Sequence, residues 1–470
     1  MRPRVKPALR CVDRDEHTLQ IGLHPQRALM LNGLTRPIRQ WFDTLDGTRD
    51  LAHVLREAVA AGLDEPSARS LLDQLMRQGV IHDAGAPPLP LPLAELDRLR
   101  PDLDALDLAS STPDGGRETM RRRRQAQVRV YGAGRVGAQI VALLAAAGVG
   151  TIRVIDPEPT RPEDLAPGGL TWSELGLSRQ DGAVALARRA TSPIPQEPTH
   201  NPTPSSLSAP PTASITNRRS RTKDAKPGRA PSTGSTADHP GRIPGARPGR
   251  ALSAPSGADH RGTTVDADPG KPPAARADRE GTNTRPGRAR SAPSGAEPWD
   301  PTVDAKAGGP YLGDRTQRPD LVILAPVRPL DRVLANELLD LGIPHLLVSA
   351  FEGHGCVGPL VLPGQSACLH CLDLARRDGD PAWPIVTARL GGFPPGEIAC
   401  DAVLASLVAA AATGHALAHL EGRDAVVTNG TRDVSPDGNW ERRSWVMHPQ
   451  CRCTRNNPYP RTMVMSATCD

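Results

Sequence analysis

The sequence predicts an α/β protein built on a doubly wound, mostly parallel sheet, with a small N-terminal winged-helix-like α+β domain and a long disordered insertion. Three observations predict this class. A strand, a glycine-rich turn, a helix and a second strand follow one another over residues 128–156. Strands and helices alternate again after residue 319, and the stretch between these regions is rich in Pro, Gly and Ser. Such alternation is typical of a parallel sheet covered by helices on both faces.

Composition indicates that part of the chain lies outside any core. Only 38% of the 470 residues are hydrophobic and 3% are aromatic, while Pro and Gly number 50 and 44. The net charge of +5 is mild for this length and predicts no nucleic-acid partner, so we interpret the basic run Arg121–Arg124 as the solvated end of a linker. The longest apolar run, Ile140–Val149, is shorter than the roughly 18 residues that span a bilayer. With no signal peptide recognised, we expect a cytoplasmic protein with reduced thiols and no membrane partner.

Residues 8–85 predict the small N-terminal domain. Short strands at Thr18–Gly22 and Arg27–Leu31 precede three helices, and Val80–Ile81 closes the unit as a last strand. The second helix is predicted to begin with Thr48 as its N-cap, because a hydroxyl there accepts a hydrogen bond from a free backbone N–H. Residues 86–124 are interpreted as a linker with one short helix at most.

Residues 191–318 predict a disordered, low-complexity insertion. They contain a near-repeat, Pro248–Ala267 against Pro286–Ala305, and consist almost entirely of small, polar and charged residues. Such a composition buries too little apolar surface to offset the entropy of ordering the chain. We expect the insertion to lie at the surface of the α/β domain, which it divides into 125–190 and 319–456.

The second half of the α/β domain contains predicted strands and helices in alternation, and residues 457–470 follow it as a tail. The predicted elements are Asp320–Ala325, His345–Ser349 and Cys356–Leu362 as strands and Asp331–Leu341 and Ala402–Leu420 as helices. This order extends the parallel sheet begun at residue 128.

The glycine-rich turn predicts a Rossmann-like nucleotide site. Its first glycine makes the turn, the second lets the backbone approach phosphate, and the third lets the helix pack on the strand. The helix N-terminus offers free N–H groups to phosphates, and an acid at the end of the next strand is placed to accept a ribose hydroxyl. The predicted nucleotide-binding residues are Gly132, Gly134, Arg135, Gly137 and Asp156.

Four of the eight cysteines predict a metal site. Cys368 and Cys371 form a CxxC, and Cys451 and Cys453 form a CxC. In a reducing compartment two close cysteine pairs indicate a structural tetrathiolate zinc, which here would attach the C-terminal segment to the domain. Two alternatives stay open: His448 replaces one thiolate, or the pairs are unrelated buried cysteines.

The glycine motif, the acid after the next strand and the CxxC with a late cysteine pair together resemble the ThiF/MoeB/HesA family. The resemblance covers roughly residues 125–190 and 319–454. It implies a ubiquitin-activating-type adenylyltransferase that uses ATP and Mg²⁺ to activate the C-terminal carboxylate of a peptide or small carrier protein, and a homodimer. The N-terminal unit, with its turn Leu45–Arg49, is similar to PqqD-like peptide-recognition domains of azoline-peptide pathways, in which a YcaO-type enzyme does the chemistry.

Residue by residue, the resemblance carries over in part. Arg179 stands where the family has a phosphate-binding Lys, which implies a catalytic role in offsetting charge as pyrophosphate leaves. The family's Asn-Leu-x-Arg-Gln segment appears here as Asp164–Gly168, without the Arg. Ala325–Arg328 occupies the place of the family's magnesium-binding Asp, and the nearest acid is Asp331.

Two functions therefore compete. The chain is an active adenylyltransferase, or it is a catalytically degenerate scaffold that binds a leader peptide by strand addition and presents it to a YcaO-type cyclodehydratase. A nucleotide-dependent oxidoreductase is disfavoured, because no hydride-transfer chemistry follows the glycine turn. Cys400 is interpreted as a helix-start residue rather than a thioester nucleophile, because the neighbouring Asp401 would raise the pKa of its thiol.

Overall fold

The computed structural model describes residues 1–191, 303–310 and 312–453. The strands in this part of the chain are β1 (Pro3–Val5), β2 (Cys11–Asp15), β3 (Thr18–Ile21), β4 (Leu29–Leu31), β5 (Ile81–Asp83), β6 (Gln127–Tyr131), β7 (Thr151–Ile155), β8 (Asp304–Ala307), β9 (Leu321–Leu324), β10 (His345–Phe351), β11 (His354–Val361), β12 (Gly430–Val434) and β13 (Trp440–Ser444). The helices are α1 (Arg36–Asp43), α2 (Leu51–Ala60), α3 (Glu65–Arg77), α4 (Leu93–Ala109), α5 (Arg117–Gln125), α6 (Gly137–Ala146), α7 (Arg179–Thr191), α8 (Arg332–Asp340), α9 (Leu369–Gly379), α10 (Trp383–Leu390) and α11 (Ala402–Leu420).

The large sheet has eight strands in the order β13-β12-β11-β10-β9-β6-β7-β8. The five strands from β10 to β8 pair in parallel, whereas β11, β12 and β13 pair antiparallel to their neighbours. This arrangement confirms the predicted mostly parallel α/β class. Helix α6 joins β6 to β7 and α8 joins β9 to β10, and the carboxyl ends of the parallel strands lie at one edge of the sheet.

Both faces of the sheet are buried. Along β9, Leu321 and Ile323 belong to the core formed with α6, α7 and α11, whereas Val322 and Leu324 pack with α8 on the opposite face. Burial on both faces explains why β9 reads as an unbroken apolar run rather than an alternating one.

Helix α11 is long and apolar enough to cross a membrane by length and composition. The prediction that no run of this kind exists is therefore wrong, because it overlooked a stretch in which Ala, Leu and Val outnumber isolated polar residues. In the fold, Val408, Ala409 and Ala412 are fully buried and the helix contacts β10, β11 and α6. It serves as a core helix of the α/β domain.

The N-terminal domain packs three helices around two small sheets, β2-β3-β4 and β1-β5. Its core includes Leu19, Trp41 and Leu75. The predicted helices and the strands at 18–22, 27–31 and 80–81 are present within a few residues, but the short strands β1 and β2 were missed. The N-cap of α2 is Asp50, whose carboxylate accepts a hydrogen bond from the backbone of His53, and not Thr48.

The predicted linker 86–124 is largely helical, which corrects the expectation of one short helix. Helices α4 and α5 pack together through Leu99, Leu106 and Met120. The basic run on α5 is not a solvated end: Arg123 is 6% exposed, and its guanidinium lies 2.6 Å from the buried carboxylate of Glu421 beyond α11. Burial with a paired acid makes this run part of the packing between α5 and the α/β domain.

The disordered insertion predicted at 191–318 lies largely outside the described residues. Its last part, from residue 303, does not match the expectation, because β8 extends the parallel sheet next to β7. Alternation of Val303 and Ala305 toward the core gives this stretch a strand pattern that its composition hides. The predicted tail 457–470 also lies outside the described residues.

Candidate functional site

A cleft opens at the carboxyl ends of β6, β7 and β9, where open parallel sheets bind their ligands. It consists of two adjoining cavities of about 200 and about 390 Å³, and Arg179, Val327 and Arg328 line both. The glycine turn forms part of the smaller cavity, and the loop before α11 forms part of the larger one. The predicted nucleotide residues therefore meet at one place.

The glycine turn after β6 has the close backbone contacts that the sequence predicted. Gly132 has φ +89°, and a Cβ there would lie 1.9 Å from the carbonyl oxygen of Ala325. A Cβ on Gly137 would lie 2.0 Å from the carbonyl oxygen of Gly132. Because backbone atoms cannot move aside as a side chain can, only glycine fits at these two positions.

Asp156 and Arg179 form a buried ion pair beside this turn. The guanidinium donates through Nε and Nη2 to the two carboxylate oxygens, at 2.8 and 2.9 Å, and the N–H of Ala133 donates to the same carboxylate at 2.8 Å. The two side chains are only about 5% exposed. Three of roughly four acceptor positions on the carboxylate are thus used. The acid predicted to bind ribose fixes the turn, with one acceptor position remaining.

Arg179 also reaches Asp164, whose carboxylate lies 3.4 Å from its Nη1. Burial lowers the pKa of Arg179, but hydrogen bonds to Asp156 and the charges of Asp156 and Asp164 outweigh it and raise that pKa above its usual value. The guanidinium is therefore a fixed positive charge at the junction of the two cavities.

The N-terminus of α6 already holds a carboxylate from the chain itself. Glu397 accepts hydrogen bonds from the backbone N–H groups of Arg135 at 2.8 Å and of Val136 at 3.0 Å. Its oxygen lies so near the turn that a Cβ on Gly134 would come within 2.5 Å of it. These are the N–H groups predicted to meet phosphate, so Glu397 stands in for an anion there.

Burial raises the pKa of Glu397 to about 7, and the nearby Asp164 carboxylate adds to the effect, while the N–H groups of Val136 and Arg135 oppose it. A raised pKa means that burial at the turn disfavours the ionised form of this carboxylate. Nothing in the local sequence Pro394-Pro395-Gly396-Glu397 predicted this contact, because the partner residues lie about 260 positions earlier.

Arginines surround the larger cavity. Arg135, Arg161 and Arg328 line it together with Arg179. Arg135 donates through Nη1 to the carbonyl oxygens of residues 163 and 165, and its Nε is buried without a hydrogen-bond partner among the described residues. Sequence reasoning named Arg135 and Arg179 but missed Arg161 and Arg328, because these two lie in loops and are brought together only by the fold.

Asp331 lies on the wall of the smaller cavity. One of its carboxylate oxygens caps α8 by accepting a hydrogen bond from the N–H of Val333 at 2.9 Å. The sequence of Ala325–Arg328 holds no acid, so Asp331 is the acid of the β9–α8 connection that reaches the cleft.

Cys400 also lines the larger cavity. Burial, then the Glu397 carboxylate and Asp401, raise the pKa of its thiol to about 12. The thiol therefore stays protonated at neutral pH, which agrees with its interpretation as a helix-start residue. Asp401 is the N-cap of α11 and accepts hydrogen bonds from Val403 and Leu404.

The four predicted cysteines meet in one cluster. The Sγ atoms of Cys368, Cys371, Cys451 and Cys453 all lie within 4.8 Å of one another, and three of the separations are 3.6–3.7 Å. Zinc–sulfur bonds of about 2.3 Å in a tetrahedron place sulfurs about 3.8 Å apart. The donor set and its spacing fit zinc, and the alternative of two unrelated cysteine pairs does not describe this arrangement.

His448 is not placed as a ligand. Its Nε2 lies 2.8 Å from the carboxylate of Asp378, and its Nδ1 accepts a hydrogen bond from the N–H of Gln450. Its backbone N–H points to the sulfur of Cys371 at 3.4 Å. His448 thus supports the cysteine cluster from outside, and Cys453 is the fourth donor.

Known proteins resemble this chain in part of its sequence and in its fold. Residues 108–194 match the sequence model of the ThiF family, and no curated protein matches the chain by sequence. The chain is similar to E. coli MccB solved with ATP, with a TM-score of 0.56 and 11% identity over 96% of this chain and 99% of MccB.

Two further structures show the same likeness. One is the microcin C7 biosynthetic enzyme MccB in complex with N-formylated MccA, at a TM-score of 0.54 and 11% identity, covering 97% of this chain and 100% of the other. The second is PaaA, at a TM-score of 0.52 and 12% identity, covering 94% of this chain and 99% of PaaA. At these identities the similarity shows a shared fold.

Proposed function

We propose that this chain, whose residues 108–194 match the sequence model of the ThiF family, is an ATP-dependent adenylyltransferase acting on the C-terminal carboxylate of a peptide. One observation carries the proposal: the N–H groups of Arg135 and Val136 at the start of α6 hold a carboxylate in this structure. Groups that bind one oxyanion bind another, and a helix N-terminus favours phosphate for the same reasons.

The residues around the cleft suit the transfer. The substrate carboxylate oxygen attacks the α-phosphorus, the bond from phosphorus to the pyrophosphate oxygen breaks, and an acyl adenylate and pyrophosphate form. Negative charge accumulates on the leaving pyrophosphate, and preorganised cations stabilise such charge. We assign this role to Arg179 with Arg135, Arg161 and Arg328, which line one cavity. Together they take the place of the arginine that the family has and this chain lacks.

Asp331 is the residue that we assign to magnesium. Its second carboxylate oxygen accepts no hydrogen bond from the described residues, and carboxylate oxygens are the ligands that Mg²⁺ prefers. Mg²⁺ bound there would neutralise phosphate charge. Asp156 and the glycines Gly132, Gly134 and Gly137 are assigned to shaping the nucleotide pocket, with ribose contacting the remaining acceptor position of Asp156.

The proposed substrate class rests on relatives and on the N-terminal domain. MccB has been solved with MccA, which supports a peptide or small carrier protein as partner. We assign peptide recognition to the sheet β2-β3-β4, whose outer strands each have one edge without a strand partner in the described residues. An extended peptide adds to such an edge through main-chain hydrogen bonds. The PqqD-like assignment of this domain remains part of the proposal, as does a homodimer.

Structural zinc at the cysteine cluster completes the proposal. Cys368 and Cys371 lie at the start of α9, and Cys451 and Cys453 follow β13, so a metal there would tie the end of the described chain to the α/β domain. Reduced thiols and ATP as substrate are consistent with a cytoplasmic location.

A second function is favoured by a different observation. No acid follows β9 directly, so the chain also fits a scaffold that binds a leader peptide for a YcaO-type enzyme without adenylylating it. In that case the fold is kept for its shape, and the N-terminal domain carries the function.

ATP–pyrophosphate exchange separates the two functions. We expect the purified full chain to exchange labelled pyrophosphate into ATP when a candidate peptide is present. Gly132→Ala should abolish exchange, because its Cβ meets backbone at 1.9 Å. Gly414→Ala serves as the control, because Gly414 lies on the exposed side of α11 and a Cβ there meets no atom within 4 Å. Peptide binding without exchange by the wild-type chain would establish the scaffold function instead.

A further inference from the structure

A second cavity, apart from the nucleotide cleft, lies beside the antiparallel half of the large sheet. Its volume is about 310 Å³, which is at the lower end of the range of small-molecule sites. Strands β10, β11 and β12, helix α9 and the loop at Phe393–Pro394 surround it. It has no residue in common with either cavity of the nucleotide cleft.

The guanidinium of Arg376 on α9 lies in this cavity among three aromatic rings. Its central carbon is 4.5 Å from the ring centre of Phe393, 5.2 Å from that of Trp383 and 5.8 Å from that of Trp445. Phe393 in turn packs edge-to-face against Trp383 and Phe351. Rings attract the cation through their faces but use none of its five N–H groups in ordinary hydrogen bonds.

No acid is bonded to this charge, although Asp373 and Asp433 lie near enough to favour it electrostatically. Within the described chain the guanidinium of Arg376 makes no hydrogen bond and no ion pair. The two acids on the cavity wall are each paired elsewhere, Asp373 with Arg332 at 2.6 Å and Asp433 with Arg443 at 2.9 Å. A third acid, Glu352, lies at the exposed rim. Burial lowers the pKa of Arg376, yet an arginine stays protonated under all ordinary conditions.

The cavity is therefore lined by a partly desolvated cation whose N–H groups have no partner among the described residues. The fork of a guanidinium matches a carboxylate in geometry as well as charge. The hydroxyl of Ser349 also lines the cavity and bonds to no described residue, which adds a polar contact beside the cation. Aromatic walls suit an apolar body attached to the acid.

We propose that this cavity binds a carboxylate with a short apolar stem, paired with Arg376 beside the rings of Phe393 and Trp445. The acid is a side chain of a bound peptide or a free small carboxylic acid. The peptide source rests on the proposed function, whereas the site itself does not.

The place of the cavity suggests what a ligand there would influence. Phe393 stands four residues before Glu397, and the N–H of Glu352 on the cavity rim donates to the carbonyl of Ile398 at 2.6 Å. One short segment, residues 393–399, thus forms a wall of this cavity and fills the anion site of α6. A ligand on Arg376 would therefore lie against the segment that carries Glu397.

Tryptophan fluorescence of the full chain without nucleotide tests the site, because two of the three rings around Arg376 are indoles. The probes are hippurate and its neutral amide, and the peptides acetyl-Gly-Glu-Gly-amide and acetyl-Gly-Gln-Gly-amide. We expect saturable quenching by the acids and none by the matched amides. Quenching by hippurate alone identifies a small acid, and quenching by the glutamate peptide identifies a peptide side chain.

Arg376→Gln should weaken acid binding by at least about tenfold, as expected when a charge-assisted hydrogen bond is lost. Arg376→Lys keeps the charge without the fork and should retain an intermediate affinity. Arg432→Gln is the matched control, because Arg432 stacks on Trp440 at 5.4 Å but lies outside the cavity. Equal binding of acids and amides by the wild-type chain, or undiminished binding by a folded Arg376→Gln chain, overturns the proposal. These binding measurements do not depend on whether the chain adenylylates a peptide.

Discussion

The cysteine cluster and the cleft beside the glycine turn were both predicted from short motifs. They differ in whether the predicted groups are already bonded to other parts of the chain. The four cysteine sulfurs converge with no other side chain between them. The groups of the cleft are largely engaged by the chain itself: Asp156 by Arg179, and the N-terminus of α6 by Glu397. A motif therefore predicts where a group lies. It does not predict whether that group already has a hydrogen-bond partner, because the partner comes from a distant part of the chain.

The two sites are also expected to be stabilised differently, one by a bound metal and the other by contacts within the chain. Sulfurs held 3.6–3.7 Å apart gain little from one another and are explained by a ligand that is to bind them. The ion pair of Asp156 and Arg179 satisfies itself and stabilises the fold without any ligand. Removing a partner should therefore act through metal content at one site and through folding at the other.

The largest effect is expected at the cysteine cluster. Cys368→Ser removes a buried donor, so zinc should fall from about one per chain to a small fraction. Apparent zinc-binding energies of about 10–16 kcal/mol in zinc-finger peptides indicate a loss of stability above about 5 kcal/mol. Elemental analysis and thermal unfolding measure the two effects.

Cys11→Ser is the control for that change, because Cys11 is exposed on β2 in the N-terminal domain. It should keep both the metal and the unfolding temperature of the wild-type chain. If the wild-type chain purifies without zinc and Cys368→Ser is no less stable, the cluster is a set of packed thiols and the contrast with the cleft disappears.

The next effect concerns the buried ion pair. Asp156→Ala leaves the buried Arg179 with only the longer contact to Asp164 and frees the N–H of Ala133, so we expect a loss of about 3 kcal/mol in unfolding free energy. Glu158→Ala provides the matched comparison two residues away, because its ion pair with Arg328 is exposed and should contribute only about 0–1 kcal/mol. Chemical denaturation measures both, and equal losses would show that the pair does not hold the turn.

Much of the fold followed from the sequence. Helix α11 was predicted to the residue, because an apolar pattern between the charged caps Asp401 and Glu421 fixes both ends. Misses came where long-range packing overrides composition. Strand β8 carries only alanines between charged residues, and its partner β7 makes it a strand. The helices α4 and α5 were missed because their sequence is rich in Pro, Leu and Arg, a composition that we interpreted as a linker. Packing of the two helices against each other and the α/β domain makes them helical.

Only the parts of the candidate site that form local sequence motifs could be predicted. Glycine spacing located the turn because it reflects local backbone geometry, and cysteine spacing located the cluster because close pairs share one metal. Glu397, Arg161 and Arg328 were missed, since each lies in an irregular loop with no periodic signal. Their roles depend on contacts across more than a hundred residues, which no local pattern encodes.

The smallest effect, and the sharpest for the cleft, concerns Glu397. Displacement by phosphate moves its carboxylate from burial, where its pKa is about 7, to water, where it is near 4.5, so nucleotide binding releases a proton between these values. Affinity for ATP should therefore rise with pH up to about 7 and then level off. The stability has the opposite slope: the raised pKa in the folded state favours folding below pH 4.5, and this contribution is lost as pH rises through about 7.

Glu397→Ala should raise the affinity for ATP by roughly tenfold above pH 7, because phosphate then meets unoccupied N–H groups. Glu397→Gln should leave the affinity near that of the wild-type chain at low pH. It should also make the affinity less dependent on pH, so that only the dependence caused by the titration of ATP itself remains. Glu163→Ala is the control, since the Glu163 side chain lies at the same cavity without bonding to the turn, and its backbone carbonyl, which accepts from Arg135, is kept. Calorimetric titration at several pH values measures these affinities. If Glu397→Ala and Glu163→Ala bind ATP equally, Glu397 does not compete for the anion site, and the cleft is as open as the cysteine cluster.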